Sequence, residues 1–197
     1  MDLIARVTRH FEESIHTKQE SAGLLAAPIA AAVEILTGCI LNGGKILACG
    51  NGGSAADAQH FAAEMVGRFE VERQELAAIA LTTDTSILTA VANDYDFSQV
   101  FARQVRALGN AGDVLLAIST SGNSANVFEA VLAAQEAEMR VIALTGRDGG
   151  KIGAMMRDDD IQLCVPVART ARIQETHLLI IHCLCDGIDG LLLGVEE

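Results

Sequence analysis

Ile4, Val7, Phe11 and Ile15 recur three and four residues apart with Arg, Glu and Lys between them, the period of an amphipathic helix. Ser21-Ala22-Gly23 loosens that pattern, and Pro28 stands where the first turn of a new helix tolerates it. Ile29, Val33, Leu36 and Ile40 then mark a second apolar face that ends near Asn42-Gly43-Gly44. The pattern therefore predicts two leading helices before any strand, over 1–43. Their apolar faces need a cover, supplied by the rest of the chain or by a second subunit.

From Lys45 the rhythm becomes strand, loop, helix. Short apolar runs at 45–49, 77–81, 113–118, 140–144 and 161–165 read as strands. Helical stretches follow at 54–67, 86–92, 98–108, 124–138 and 171–192. Such alternation implies an α/β fold: a five-stranded parallel sheet between helical layers, a three-layer αβα sandwich of flavodoxin-like type. Ligands of these folds bind at the carboxyl ends of the strands. No internal repeat, low-complexity tract or linker interrupts the pattern, so a single domain over 1–197 is expected.

Composition narrows the class of ligand. The 197 residues carry 14 Lys and Arg against 26 Asp and Glu, a formal charge of −12, without a basic cluster. A nucleic-acid backbone is thus a poor partner, and a phosphorylated substrate would have to be held by amides and hydroxyls. The five cysteines are odd in number, and Cys49 and Cys164 fall inside strand-like runs. They fit reduced, buried thiols better than a disulfide framework, and Cys183 with Cys185 lacks the spacing of a zinc knuckle or redox pair. The start Met-Asp-Leu-Ile leads into the amphipathic pattern without a signal peptide. The apolar stretches read as too often interrupted by charge to span a membrane, and the expected location is the cytoplasm.

Candidate chemistry gathers at two strand-to-helix junctions. The first strand runs into Gly50-Asn51-Gly52-Gly53-Ser54, where glycines allow close backbone approach and the helix start offers free amides to an anion. Gly50, Gly52 and Ala55 also satisfy a weak dinucleotide pattern. No GxxxxGK[ST] phosphate loop is present. The third strand ends in Ser119-Thr120-Ser121-Gly122-Asn123-Ser124. Ser124 could be a plain helix cap, which leaves three hydroxyls unexplained and favours a phosphate site. Asp57, His60 and Glu64 form a polar stripe on the helix after the first loop. From spacing alone a solvated helix face is the commoner explanation, but the stripe starts beside the Gly-rich loop, where His60 and Glu64 could share a divalent metal or Glu64 could serve as a general base. On the final helix His177 shares the apolar face of Ile173, Ile181, Leu184 and Ile188 and reads as a core histidine, whereas Gln174 and His182 lie on a neighbouring face.

Together, CGNGGSAADAQHFAAE (49–64), ISTSGNSANV (118–127), ALTGRDGG (143–150) and RIQETHLLIIH (172–182) resemble the sedoheptulose 7-phosphate (phosphoheptose) isomerases of the SIS-domain group. The likeness covers nearly the whole chain. It implies a homotetramer with active sites between subunits and the leading helices in a central bundle. It also implies reversible conversion of sedoheptulose 7-phosphate into D-glycero-D-manno-heptose 7-phosphate for lipopolysaccharide heptose synthesis. Family positions matching His60, Glu64, Gln174 and His182 bind a zinc ion. Those matching Ser119, Thr120, Ser121 and Ser124 hold the phosphate, and Asn51, Gly52, Gly53, Ser54, Glu64, Asn93, Asp94 and Gln174 match further substrate positions. Some members carry Asp where this chain has Ala171.

Moving a carbonyl between C2 and C1 requires a base for a carbon-bound proton and an acid for the oxygens. The expected assignment is Glu64 as base and His182 as acid, with Glu175 as the alternative base and zinc polarising the carbonyl. Gln174 and His182 stand eight residues apart, about 12 Å along a straight helix, so one ion could take both only from different subunits or with loose, partial coordination. A rival resemblance comes from a non-catalytic SIS-domain protein that binds the replication initiator and promotes its assembly at the origin; it shares QVRALG (104–109), GDVLLAIST (112–120) and CLCD (183–186). It lacks counterparts of Glu64 and His182, both present here. A sugar-phosphate-sensing regulator would keep the phosphate loop and need neither base nor metal.

Overall fold

In the computed structural model, which describes residues 1–194, five parallel strands lie in the order β2-β1-β3-β4-β5. They are β1 (Ile46–Gly50), β2 (Ala78–Ala80), β3 (Val114–Ser119), β4 (Arg140–Gly146) and β5 (Ile161–Val165). The helices are α1 (Leu3–Leu41), α2 (Gly53–Val66), α3 (Thr85–Asp94), α4 (Ala102–Leu108), α5 (Ala125–Glu136), α6 (Gly150–Ala154) and α7 (Thr170–Leu193). Each central strand is buried on both faces, and its side chains alternate between two cores. Ile46, Ala48, Leu116, Ile118, Ile142 and Leu144 face α1, α2 and α7. Leu47, Cys49, Leu115, Ala117, Val141 and Ala143 face α4 and α5. This is the expected αβα sandwich.

Three local features differ from the pattern. The two leading helices are one continuous 39-residue helix, with Pro28 inside it. A proline removes a single backbone donor, and packing on both sides of that point, with Leu25 and Ala32 buried, carries the helix through it. The stretch expected as one helix over 98–108 is a 3-10 turn at Phe97–Gln99 followed by α4. The short α6 had no periodicity to announce it.

The second half of α1 also corrects the reading of charge along the chain. Between Gly23 and Leu41 only Glu34 is charged, and α1 and α7 are each long and apolar enough to cross a membrane by length and composition. Their apolarity is used otherwise: Val33, Leu36, Ile180, Ile181 and Leu184 close one core over the sheet. Between them the two helices leave a groove of about 760 Å³ lined by Leu25, Ile29, Leu179 and Leu191. All five cysteines are free; Cys39, Cys49 and Cys185 are buried as expected, whereas Cys183 is exposed beside that groove.

His177 is fully buried on α7, with Nε2 hydrogen-bonded to the carbonyl of Thr145 at 2.8 Å and Nδ1 without a partner. Burial therefore pushes its pKa down to about 4, against a smaller upward pull from the Thr145 carbonyl. The unfolded chain takes up this proton below about pH 6.5, and the folded one only below about 4. Stability from this residue is complete above pH 6.5 and is lost as pH falls through that window, by about 3 kcal/mol at the acid end. Urea unfolding between pH 7 and 4 is expected to show this decline, and His177→Gln to flatten it.

Candidate active site

The strand order reverses between β1 and β3: α2 leads from β1 to one side of the sheet, while β3 lies on the other. Gly50 pairs with Ile118 in register, so the loops leaving β1 and β3 open side by side at the switch point, the ligand crevice of such sheets. A reciprocal amide pair joins them. Asn51 Nδ2 donates to Asn126 Oδ1 and Asn126 Nδ2 to Asn51 Oδ1, both at 2.8 Å. Asn126 is buried and was not among the expected site residues, because the partner that gives it meaning is 75 positions away.

The β3–α5 loop has the makings of an anion cradle. Ser124 stands at the cap position of α5 but makes no capping hydrogen bond. Its hydroxyl meets that of Ser119 at 2.9 Å instead. The first amides of a twelve-residue helix thus stay free of a side-chain cap, with Thr120 and Ser121 half-buried beside them. Ser121 Oγ accepts from the Asn123 amide at 3.2 Å, and Asn123 Oδ1 accepts from the Lys151 amide at 3.2 Å, tying the loop to α6. Across the crevice, α2 starts at Gly52, which has φ +56° and no side-chain cap, and Ser54 is buried behind it.

About two turns further along α2 the polar stripe meets α7. His60 Nε2 and His182 Nε2 lie 3.0 Å apart, and Glu64 Oε1 lies 3.5 Å from His60 Nε2. Phe69 stacks obliquely on the His182 ring, with centroids 5.5 Å apart. Asp57, half-buried on the same stripe, has its pKa raised by desolvation, against an opposing pull from His60, and its Oδ2 is unpartnered. His60 Nε2 is thus the shared neighbour of the other two groups, and two imidazoles with a carboxylate are donor types that suit zinc. Among the described residues no group of three or more such side chains is drawn together closely enough to hold a metal as it stands. The donor chemistry fits zinc, and the side chains would have to draw together to hold it.

Other expected site residues sit apart from this cluster. Gln174 lies over the start of α2, where a Cβ on Gly53 would come within 2.6 Å of its Nε2. His60 is seven residues further along α2, about 10 Å, so Gln174 borders the first loop rather than the His pair of its own chain. Glu175, the alternative base, is held elsewhere: Arg172 Nη2 donates to its Oε1 at 2.5 Å and Ser14 Oγ to its Oε2 at 2.9 Å. It ties α7 to α1. Asn93 and Asp94 end α3, exposed and hydrogen-bonded to one another at 2.8 Å.

Comparison with known proteins identifies the family. A family model for the SIS domain matches residues 9–146. Phosphoheptose isomerases from Dechloromonas aromatica and Aromatoleum aromaticum are 71% and 73% identical, each over the full length of both chains. The phosphoheptose isomerase structure from Neisseria gonorrhoeae superposes with a TM-score of 0.92 at 64% identity, over 96% of this chain and 100% of that one. The chain belongs to the phosphoheptose isomerases of the SIS-domain family. It is accordingly an isomerase enzyme, and a second phosphoheptose isomerase structure, from Francisella tularensis, matches with a TM-score of 0.93 at 51% identity, covering 96% of this chain and 99% of that one.

Proposed function

We propose that this chain interconverts sedoheptulose 7-phosphate and D-glycero-D-manno-heptose 7-phosphate, a step in lipopolysaccharide heptose synthesis in the cytoplasm. The observation that carries the reading is the convergence of His60 and Glu64 on α2 with His182 on α7, on the helix that starts at the Gly-rich loop of the switch point. The phosphate binds on the α5 amides with Ser119, Thr120, Ser121 and Ser124, where no formal positive charge is required. Asn51, Gly52, Gly53, Ser54 and Gln174 line the sugar from the first loop, and Asn93 and Asp94 complete the pocket from the end of α3.

Glu64 removes the proton from C1 of the ketose and returns a proton to C2 of the enediol. His182 gives a proton to the C2 oxygen and takes one from the C1 oxygen, so the carbonyl moves with no net gain or loss of protons. An imidazole suits that exchange near neutrality. His60, Glu64 and His182 are the residues that would hold a zinc ion, which would polarise the carbonyl and stabilise the enediolate when bound. Gln174 joins such a set only from another subunit or after rearrangement.

The leading helix supports assembly as a homotetramer with sites between subunits. Leu3, Ile4, Val7, Phe11 and Ile15 are exposed along α1, and the groove between α1 and α7 adds a second apolar surface. The rival role, loading a replication initiator, needs neither His182 nor Glu64 and leaves their convergence without a use. Purified protein given sedoheptulose 7-phosphate is expected to yield the aldose phosphate and to have the native mass of four chains. Binding of the ketose phosphate without turnover, with or without added zinc, would favour a sensor.

A further inference from the structure

Arg73 lies in the irregular segment between α2 and β2, yet its side chain is only 3% exposed. Its guanidinium is shared between two helices. Nη2 donates to the carbonyl of Glu64 and Nη1 to that of Met65, both at 2.8 Å, while Nε donates to Asp189 Oδ1 at 2.6 Å. Nη1 also reaches the carbonyl of Gln74 at 3.2 Å. The carbonyls at the end of a helix lack intrahelical partners and carry partial negative charge, and here a buried cation meets them.

The placement matters because these helices carry the reacting groups. Glu64 itself supplies one of the bonded carbonyls, and His60 is one turn before it on α2. Asp189 is seven residues, two turns, beyond His182 on α7. We infer that Arg73 is a positioning residue: by clamping the end of α2 to Asp189, it sets the spacing of the two helices and thereby the His60–His182 gap and the aim of the Glu64 carboxylate. This inference rests on the proposed roles of Glu64 and His182.

The planar fork explains why arginine occupies the position. It bonds two carbonyls and a carboxylate in fixed directions, whereas a lysine ammonium could hold Asp189 but not the same three acceptors in that geometry. A structural role alone would show in the folded fraction. A positioning role shows in kcat per folded molecule.

The test compares Arg73→Lys and the double variant Arg73→Met/Asp189→Leu with wild type, with kcat scaled to folded protein and KM measured beside it. The double variant removes both charges together and so leaves no unpaired buried carboxylate. Both are expected to lower kcat by about 10–100-fold, the usual effect of losing an outer-shell support, with KM within about threefold because the phosphate loops are untouched. Wild-type kcat in either folded variant, or failure of both to fold, would overturn the positioning role. An inactive wild type would instead remove the isomerase reading. The His60–His182 spacing in crystals of wild type and the double variant would then decide the inference: a gap opened by about 1 Å, enough to matter for catalysis, supports it, and an unchanged gap overturns it.

Discussion

Glu64→Gln is expected to lower kcat by about 10²–10⁴-fold, the range for loss of a general base, while the protein stays folded. The carboxylate is partly exposed, and its contact is the His60 ring at 3.5 Å, so an amide of the same shape fits without leaving a buried charge. The amide oxygen can still accept a hydrogen bond or face a metal, but it cannot take a proton from carbon. His182→Gln is expected to show a loss of the same order, since the Nε2 that faces His60 is then replaced by a group that neither gains nor gives a proton near pH 7. Measuring kcat and KM for both beside thermal unfolding checks the assignment. A Glu64→Gln enzyme within threefold of wild type would end the case for Glu64 and reopen the choice of base, with Asp57 the nearest carboxylate on the stripe.

Gly122→Ala is expected to raise KM by at least about tenfold and to lower Tm by several degrees. Gly122 sits in the middle of the serine-rich loop with φ +64°, and a Cβ there would lie 1.9 Å from the carbonyl oxygen of Gly149. That neighbour is backbone and is pinned: the Ile152 amide donates back to the Gly122 carbonyl at 2.9 Å. The loop has to move away from α6, taking Ser121 and the start of α5 with it. Gly112→Ala is the control. Its φ is +87°, but a Cβ there meets nothing within 4 Å. It bears only the cost of the left-handed conformation, about 1–2 kcal/mol, or about 2–8 °C in a chain of this size. Its KM is expected to stay at the wild-type value. Equal KM values for the two variants would show that the loop does not hold the phosphate.

Much of this architecture could be read from residues alone because its causes are local. The β1 and β3 runs are continuous apolar stretches bounded by polar or Gly-rich turns, and buried parallel strands leave that trace. The serine-rich and glycine-rich loops announce themselves by composition. What escaped depends on packing. Pro28 marks a helix start by local rule, and only the burial of its neighbours shows that α1 continues through it. Asn126 looks like one more helix residue until Asn51 is found opposite. Arg73 lies in a segment without periodicity, and its worth comes from carbonyls and a carboxylate supplied by two helices. The separation of Gln174 from His60 follows from how α2 lies along α7; spacing on α7 alone set the 12 Å problem, and the contact with Gly53 puts Gln174 at the first loop.

Isomerisation in D2O, following deuterium at C2 of the aldose phosphate and at C1 of the recovered ketose phosphate by NMR, tests the central claim most directly. A proton carried by Glu64 exchanges with solvent during some turnovers, so deuterium is expected at both carbons and should accumulate as the sugars are cycled to equilibrium. Product formed without solvent deuterium at either carbon, even after prolonged cycling, would mean that hydrogen passes directly between C1 and C2, and would contradict the enediol route and the role given to Glu64.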